Sequence, residues 1–137
     1  EGPLQTTEDL RQAIVATHPQ MPSKTLARVF QAFRIAVNDE LEQLVVGIDT
    51  AIARLAMGGR LAVIAYHSLE DRIVKHRLAE RMRGCICPPR LPVCACGHQP
   101  EFAKVERGRF KPGADEVAKN SRARSATLRL YEKIGEN

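Results

Sequence analysis

Four cysteines stand at positions 85, 87, 94 and 96, all the cysteine the chain has, in a stretch from Gly84 to Pro100 that also carries four prolines. Two C-x-C pairs this close can supply four soft ligands to one tetrahedral zinc ion, with His98 as a spare ligand. The better-attested spacing leaves two residues between ligands, so two other readings stay open. One is disulfides, although nothing else in the sequence points to an oxidising compartment. The other is four reduced thiols that help to pack a loop in which neither a helix nor a central strand survives the proline density.

A second group with chemical potential is His67-Ser68. It follows the unbroken apolar run Leu61 to Tyr66, and the pair Gly58-Gly59 precedes that run. The run has the length and the Val and Ile content of a strand covered on both faces, as in a parallel sheet. Ser68 followed by Asp71 reads as a capping box, with a helix from Leu69 carried on by Ile73, Val74, Leu78 and Met82. His67 and Ser68 then sit at the carboxyl end of a strand, the edge where open α/β sheets bind ligands. For Ser68 the plainer role is the cap. For His67 a backbone partner and a substrate contact are equally open. Arg34 and Asn38, four apart on one helix flank, are either a solvated pair or part of a site wall.

The third group is basic. Lys and Arg outnumber Asp and Glu by seven in residues 58–137, whereas acidic residues lead by two in residues 1–57. The excess gathers at Arg109, Lys111, Lys119, Arg122 and Arg124, which suits the phosphates of RNA or DNA. In an extended loop Arg122 and Arg124 would point to one side. The competing account pairs them with Glu116 and Glu132.

These residues need elements to position them. Thr7 is a plausible cap for a short helix bearing Leu10, Ile14 and Val15, which His18-Pro19-Gln20-Met21-Pro22 ends. Leu26, Phe30, Phe33, Val37, Leu41, Leu44, Ile48, Ile52 and Leu55 form one apolar stripe, too long for a single globular helix and expected to break near Asn38-Asp39. Beyond the cysteines, 101–106 reads as a strand, 109–112 as a basic turn and 115–119 as a short helix. Residues 126–134 alternate as a strand, with Ala126, Leu128 and Leu130 inward and Thr127, Arg129, Tyr131 and Lys133 outward. At 137 residues this is one domain's worth of chain. Neither a bilayer-spanning run nor a secretory signal pattern is visible. The first residue is Glu1, which raises the expectation of a processed or excised piece. No glycine-rich phosphate loop occurs, and no paired nucleophile and base stands out.

Three stretches extend this reading. They are Phe30 to Leu41 (FQAFRIAVNDEL), Gly58 to Arg72 (GGRLAVIAYHSLEDR) and Asn120 to Arg129 (NSRARSATLR). Together and in this order they resemble the ribosomal RNA small subunit methyltransferase H family, from about Thr25 to the end. The Cys85–Gly97 loop also resembles one found in part of that family, and where the family has Thr-Arg-Thr-Phe this chain has Leu26-Ala27-Arg28-Val29-Phe30. The resemblance implies the carboxyl-terminal part of a Rossmann-like class I methyltransferase sheet, of α/β class, with an antiparallel edge pair. Residues 1–22 would be the end of an inserted helical domain, and 23–137 the rest of the methyltransferase domain. It implies S-adenosylmethionine as methyl donor, with no residue of its site carried over onto this chain, and a cytidine N4 of small-subunit rRNA as target. His67 and Ser68, braced by Arg34 and Asn38, would line the base pocket. The partner would be the rRNA or the ribosomal subunit and the location cytoplasmic, with no membrane and with a homodimer allowed. This chain alone would be inactive. The rival class is a non-catalytic RNA-binding or ribosome-assembly module on the same fold. A weaker rival is a metal-dependent interaction protein built on the cysteine loop.

Overall fold

In the computed structural model, which describes residues 3–88 and 93–136, the chain forms two compact units, Glu1–Glu40 and Leu41–Asn137. The first holds helices α1 (Thr7–Ala16) and α2 (Pro22–Asn38). The cap of α1 is Thr6, one residue before the expected Thr7. Its side chain accepts the Asp9 N–H at 3.1 Å, and Asp9 returns the bond to the Thr6 N–H at 2.8 Å. That exchange satisfies two of the donors a helix start leaves open. The apolar stripe breaks where expected. Asp39 closes α2 in a left-handed conformation, φ 50°, and α3 (Glu40–Arg54) restarts at the next residue.

The second unit is built on three strands, β1 (Arg60–Ala65), β2 (Phe102–Phe110) and β3 (Thr127–Lys133), in the order β1-β3-β2. Both ladders are antiparallel, with Leu61 opposite Tyr131, Val63 opposite Arg129 and Phe102 opposite Lys133. Strand β1 follows the turn Gly58-Gly59, where the Gly58 N–H reaches the Lys133 carbonyl at 2.8 Å. After β1 comes helix α4 (Ser68–Arg81), and between β2 and β3 lie the short α5 (Ala114–Lys119) and a 3-10 turn, Ser121–Ser125.

One face of the sheet carries the core. Ile48 and Ile52 of α3 and Val74 and Leu78 of α4 close on Phe102 and Tyr131, with Leu61 and Val63 packed beside them. Ion pairs tie the layers together: Arg77 of α4 forks onto Asp49 of α3, and Arg81 meets Glu101 at 2.7 Å. The other face is open, and Ile64 is 58% exposed.

The sheet departs from the sequence reading in three ways. Among the described residues, strand β1 is covered on one face, by the layer of α3 and α4, and its neighbour runs antiparallel. The alternation of β3 is inverted: Thr127, Arg129 and Tyr131 are the buried set, and Leu128 and Leu130 face the open side. Strand β2 runs on to Phe110, past the expected end at 106, through a register shift between Lys104 and Arg109. Gly108 permits that bulge. Its φ is +64°, and a Cβ there would lie 2.7 Å from the Lys104 side chain. Among the described residues no helix is long and apolar enough to cross a membrane.

Candidate functional site at the end of strand β1

A cavity of about 340 Å³ opens where β1 ends. Tyr66, His67 and Ser68 line it from the strand-to-helix turn and Asp71 from the first turn of α4. Arg109 and Lys111 reach it from the end of β2, and Ser125 and Thr127 from the start of β3. The fold therefore brings the expected pair His67 and Ser68 together with two of the five expected basic residues.

The turn is set by His67, not by Ser68. The helix begins at Ser68, one residue earlier than the sequence suggested, so the cap falls on His67. Its Nδ1 accepts the Glu70 N–H at 3.4 Å, and the Glu70 carboxylate accepts the N–H groups of Tyr66 at 2.9 Å and His67 at 3.2 Å. Nε2 of His67 lies 3.0 Å from Glu70 Oε1 but out of line for a hydrogen bond, so this buried nitrogen has no hydrogen-bond partner among the described residues. Ser68 is relieved of the cap and stands exposed on the cavity wall.

Asp71 is likewise free of the cap, and Arg129 takes it. Nε meets Oδ1 at 2.7 Å and Nη2 meets Oδ2 at 3.0 Å, with Arg129 almost wholly buried. The two-pronged bond from the guanidinium holds the Asp71 carboxyl below the usual carboxylate range against the opposing effect of burial, with Arg109 and Lys111 adding their charge. Arg109 and Arg129 are opposite one another in the ladder. Like charges so placed repel, and Asp71 is the counter-charge that lets them stand together. The alternation of the sequence puts Arg129 on the outward face of its strand and so hides this pair. Lys111 donates to Thr127 Oγ1 at 2.6 Å and to the Ala126 carbonyl at 3.2 Å. Its ammonium thus pins the start of β3 and still lends charge to the cavity.

The other candidates lie elsewhere. Arg122 and Arg124 are exposed in the 3-10 turn. With three residues per turn, positions two apart diverge, so they do not share a side as an extended loop would require. Among the described residues neither pairs with Glu116 or Glu132, and Glu132 is held instead by Arg60 at 2.9 Å. Lys119 ends α5, exposed. Arg34 and Asn38 belong to the first unit, where both engage Glu40, at 2.8 Å and 3.2 Å. The sulfurs of Cys85, Cys87, Cys94 and Cys96 lie within 4.8 Å of one another. N–H groups of Ile86 and His98 draw the Cys96 thiol down to about 6. The Cys87 N–H acts in the same sense on Cys85, but the neighbouring thiols outweigh it and push Cys85 up to about 12.

A one-layer antiparallel sheet backed by helices thus carries a polar, cationic ligand cavity at a strand end. Residues 1–134 match the MraW methylase family, and the chain belongs to it. It is 47% identical, over 98% of its length, to the ribosomal RNA small subunit methyltransferase H of Trichlorobacter lovleyi. It is 49% identical over 96% to the protein of that name from Heliobacterium modesticaldum, and 46% over 96% to that of Thermomicrobium roseum. The chain spans 44%, 44% and 41% of those relatives.

Proposed function

We propose that this chain is the carboxyl-terminal, RNA-facing part of a methyltransferase that methylates N4 of a cytidine in small-subunit rRNA. The methyl donor would be S-adenosylmethionine and the sheet part of a Rossmann-like one. Residues 1–22 would end an inserted helical domain and 23–137 would belong to the methyltransferase domain. The observation that carries the reading is the cavity itself, which sets His67 and Ser68 of the turn against Arg109 and Lys111. It offers the Ser68 hydroxyl for a base and cationic groups for its phosphate. Arg122, Arg124 and Lys119 would extend the cationic surface along the RNA. An rRNA or ribosomal-subunit partner and a cytoplasmic location follow from the same reading, and a homodimer is compatible with it.

The residues present do not fit the methyl donor. At the turn from β1 to α4, the N–H groups of Tyr66 and His67 are spent on the Glu70 carboxylate and that of Glu70 on His67 Nδ1. None of these donors is left for a cofactor carboxylate. The chain by itself is expected to bind no methyl donor measurable by calorimetry.

Joining the chain to the preceding part of the Trichlorobacter lovleyi relative tests the reading. The joined protein should transfer labelled methyl groups to small-subunit rRNA, and mass spectrometry of the nucleosides should place them on cytidine N4. A joined protein that folds and binds rRNA without transferring methyl groups would favour the rival, a ribosome-assembly module.

A further inference from the structure

We propose that Cys85, Cys87, Cys94 and Cys96 hold one zinc ion that orders the arm between α4 and β2. The arm leaves and returns at one point. The Glu101 N–H binds the Arg81 carbonyl at 2.8 Å, and the Arg81 side chain binds the Glu101 carboxylate at 2.7 Å. Among its described residues the arm has no helix or strand, and its apolar side chains face solvent, with Ile86 62% and Val93 74% exposed. A cross-link would supply the order that a core supplies elsewhere.

The sulfur geometry fits a cross-link through one tetrahedral ion. A tetrahedral site with Zn–S bonds of about 2.3 Å has edges of about 3.8 Å. Here Cys85–Cys94 is 3.4 Å, Cys94–Cys96 3.6 Å, Cys85–Cys96 3.8 Å and Cys87–Cys94 4.0 Å. These four separations bracket the zinc value, and all six lie within 4.8 Å. No sulfur pair approaches the roughly 2.0 Å of a disulfide. An iron–sulfur cube would hold its cysteines further apart, since each binds a different iron. The C-x-C spacing is no obstacle, because residues i and i+2 of an extended segment face the same side and both thiols reach one point. The Cys87 N–H points at Cys85 Sγ, 3.4 Å away, the kind of bond that offsets charge on a bound thiolate. Gly97 turns the chain immediately after the last cysteine with φ +61°.

On binding, every thiol still protonated gives its proton to water and four Zn–S bonds form, with no change of oxidation state. Four protein ligands leave no open position, so the ion is structural and takes no part in methyl transfer.

Metal analysis of the chain purified without chelator should find one zinc per chain, and Cys85→Ser should lose it. Cobalt(II) added to the metal-free chain should give thiolate charge-transfer bands and the intense d–d bands of tetrahedral coordination, which stoichiometric zinc then bleaches. Zinc should also slow proteolysis within residues 84–100. The cobalt titration needs no variant, so a misfolded mutant cannot obscure the result. A zinc-free chain with four titratable thiols and no tetrahedral cobalt spectrum would overturn the proposal, as would two disulfides or bound iron. None of these measurements involves RNA or methyl donor, so their outcome is independent of the methyltransferase reading.

Discussion

The turn from β1 to α4 and the arm after α4 are both irregular, polar stretches, and they are held by opposite means. At the turn, His67 and Glu70 exchange bonds with each other's backbone, and Arg129 locks Asp71 from the neighbouring strand. Helix and sheet packing fixes every partner. The arm is drawn together, among the described residues, at its base and at four sulfurs. A site that must keep a cavity open needs rigid elements around it, whereas an arm projecting from the fold can be ordered by one local cross-link. Substitutions should therefore propagate from the turn and its core into global stability, and stay local in the arm.

The sharpest contrast is Phe102→Ala against Ile86→Ala. Phe102 is 1% exposed and sits in the core cluster, so its truncation should cost roughly 3–5 kcal/mol. Ile86 should cost less than about 0.5 kcal/mol, as an exposed residue does. Urea unfolding of both variants checks this, and comparable losses would erase the distinction between the two regions.

Next in size is Asp71→Asn, which leaves Arg129 buried without its counter-charge. The pair is only partly shielded from water, so a loss of about 2–3 kcal/mol at neutral pH is expected, below that of a fully buried pair. The sign with pH follows from the depressed carboxyl. The contribution of the pair is fully present above the unfolded pKa of about 4, and is lost as pH falls from there through the lower folded value. Wild type and variant should converge in stability as the solution is acidified. A gap independent of pH would mean that packing, and not the charge pair, holds the turn.

Arg122→Ala with Arg124→Ala addresses function. In the joined protein the double variant should weaken rRNA binding by roughly 1–3 kcal/mol and flatten its salt dependence. The melting temperature should barely move, since both side chains are exposed and neither takes Glu116 or Glu132 among the described residues. A destabilised protein with normal RNA affinity would remove them from the RNA surface.

What the sequence made legible was local. The break at Asp39, the Gly58-Gly59 turn and the strand-to-helix switch at His67 are written in neighbouring residues, and so is the sulfur cluster. What it hid depends on partners far along the chain. Alternation in β3 marks two faces without saying which one is buried. The answer came from Asp71, 58 residues away, drawing Arg129 inward. The antiparallel ladders are equally non-local. The conformation of Arg122 and Arg124 turned on one side chain, that of Asn120, which accepts the Arg122 N–H at 3.1 Å and starts a 3-10 turn in place of an extended loop.

The smallest effect separates two phases of one motif. The run His67-Ser68-Leu69-Glu70-Asp71 fits a capping box twice, as His67 with Glu70 or as Ser68 with Asp71. Serine is the better intrinsic cap, which is why the sequence favours the second phase. The structure takes the first, because Arg129 claims Asp71 and leaves Glu70 to answer the backbone. His67→Ala should then cost about 1 kcal/mol, as the loss of a helix cap does. His67→Asn should recover most of it, because the amide oxygen can accept the Glu70 N–H in place of Nδ1. Ser68→Ala should be close to neutral, since the first helical position requires no side-chain acceptor. Thermal melts of the three variants decide the matter. A costly Ser68→Ala beside a silent His67→Ala would put the helix start one residue later, return Asp71 to the cap, and take away the reason for Arg129 to be buried.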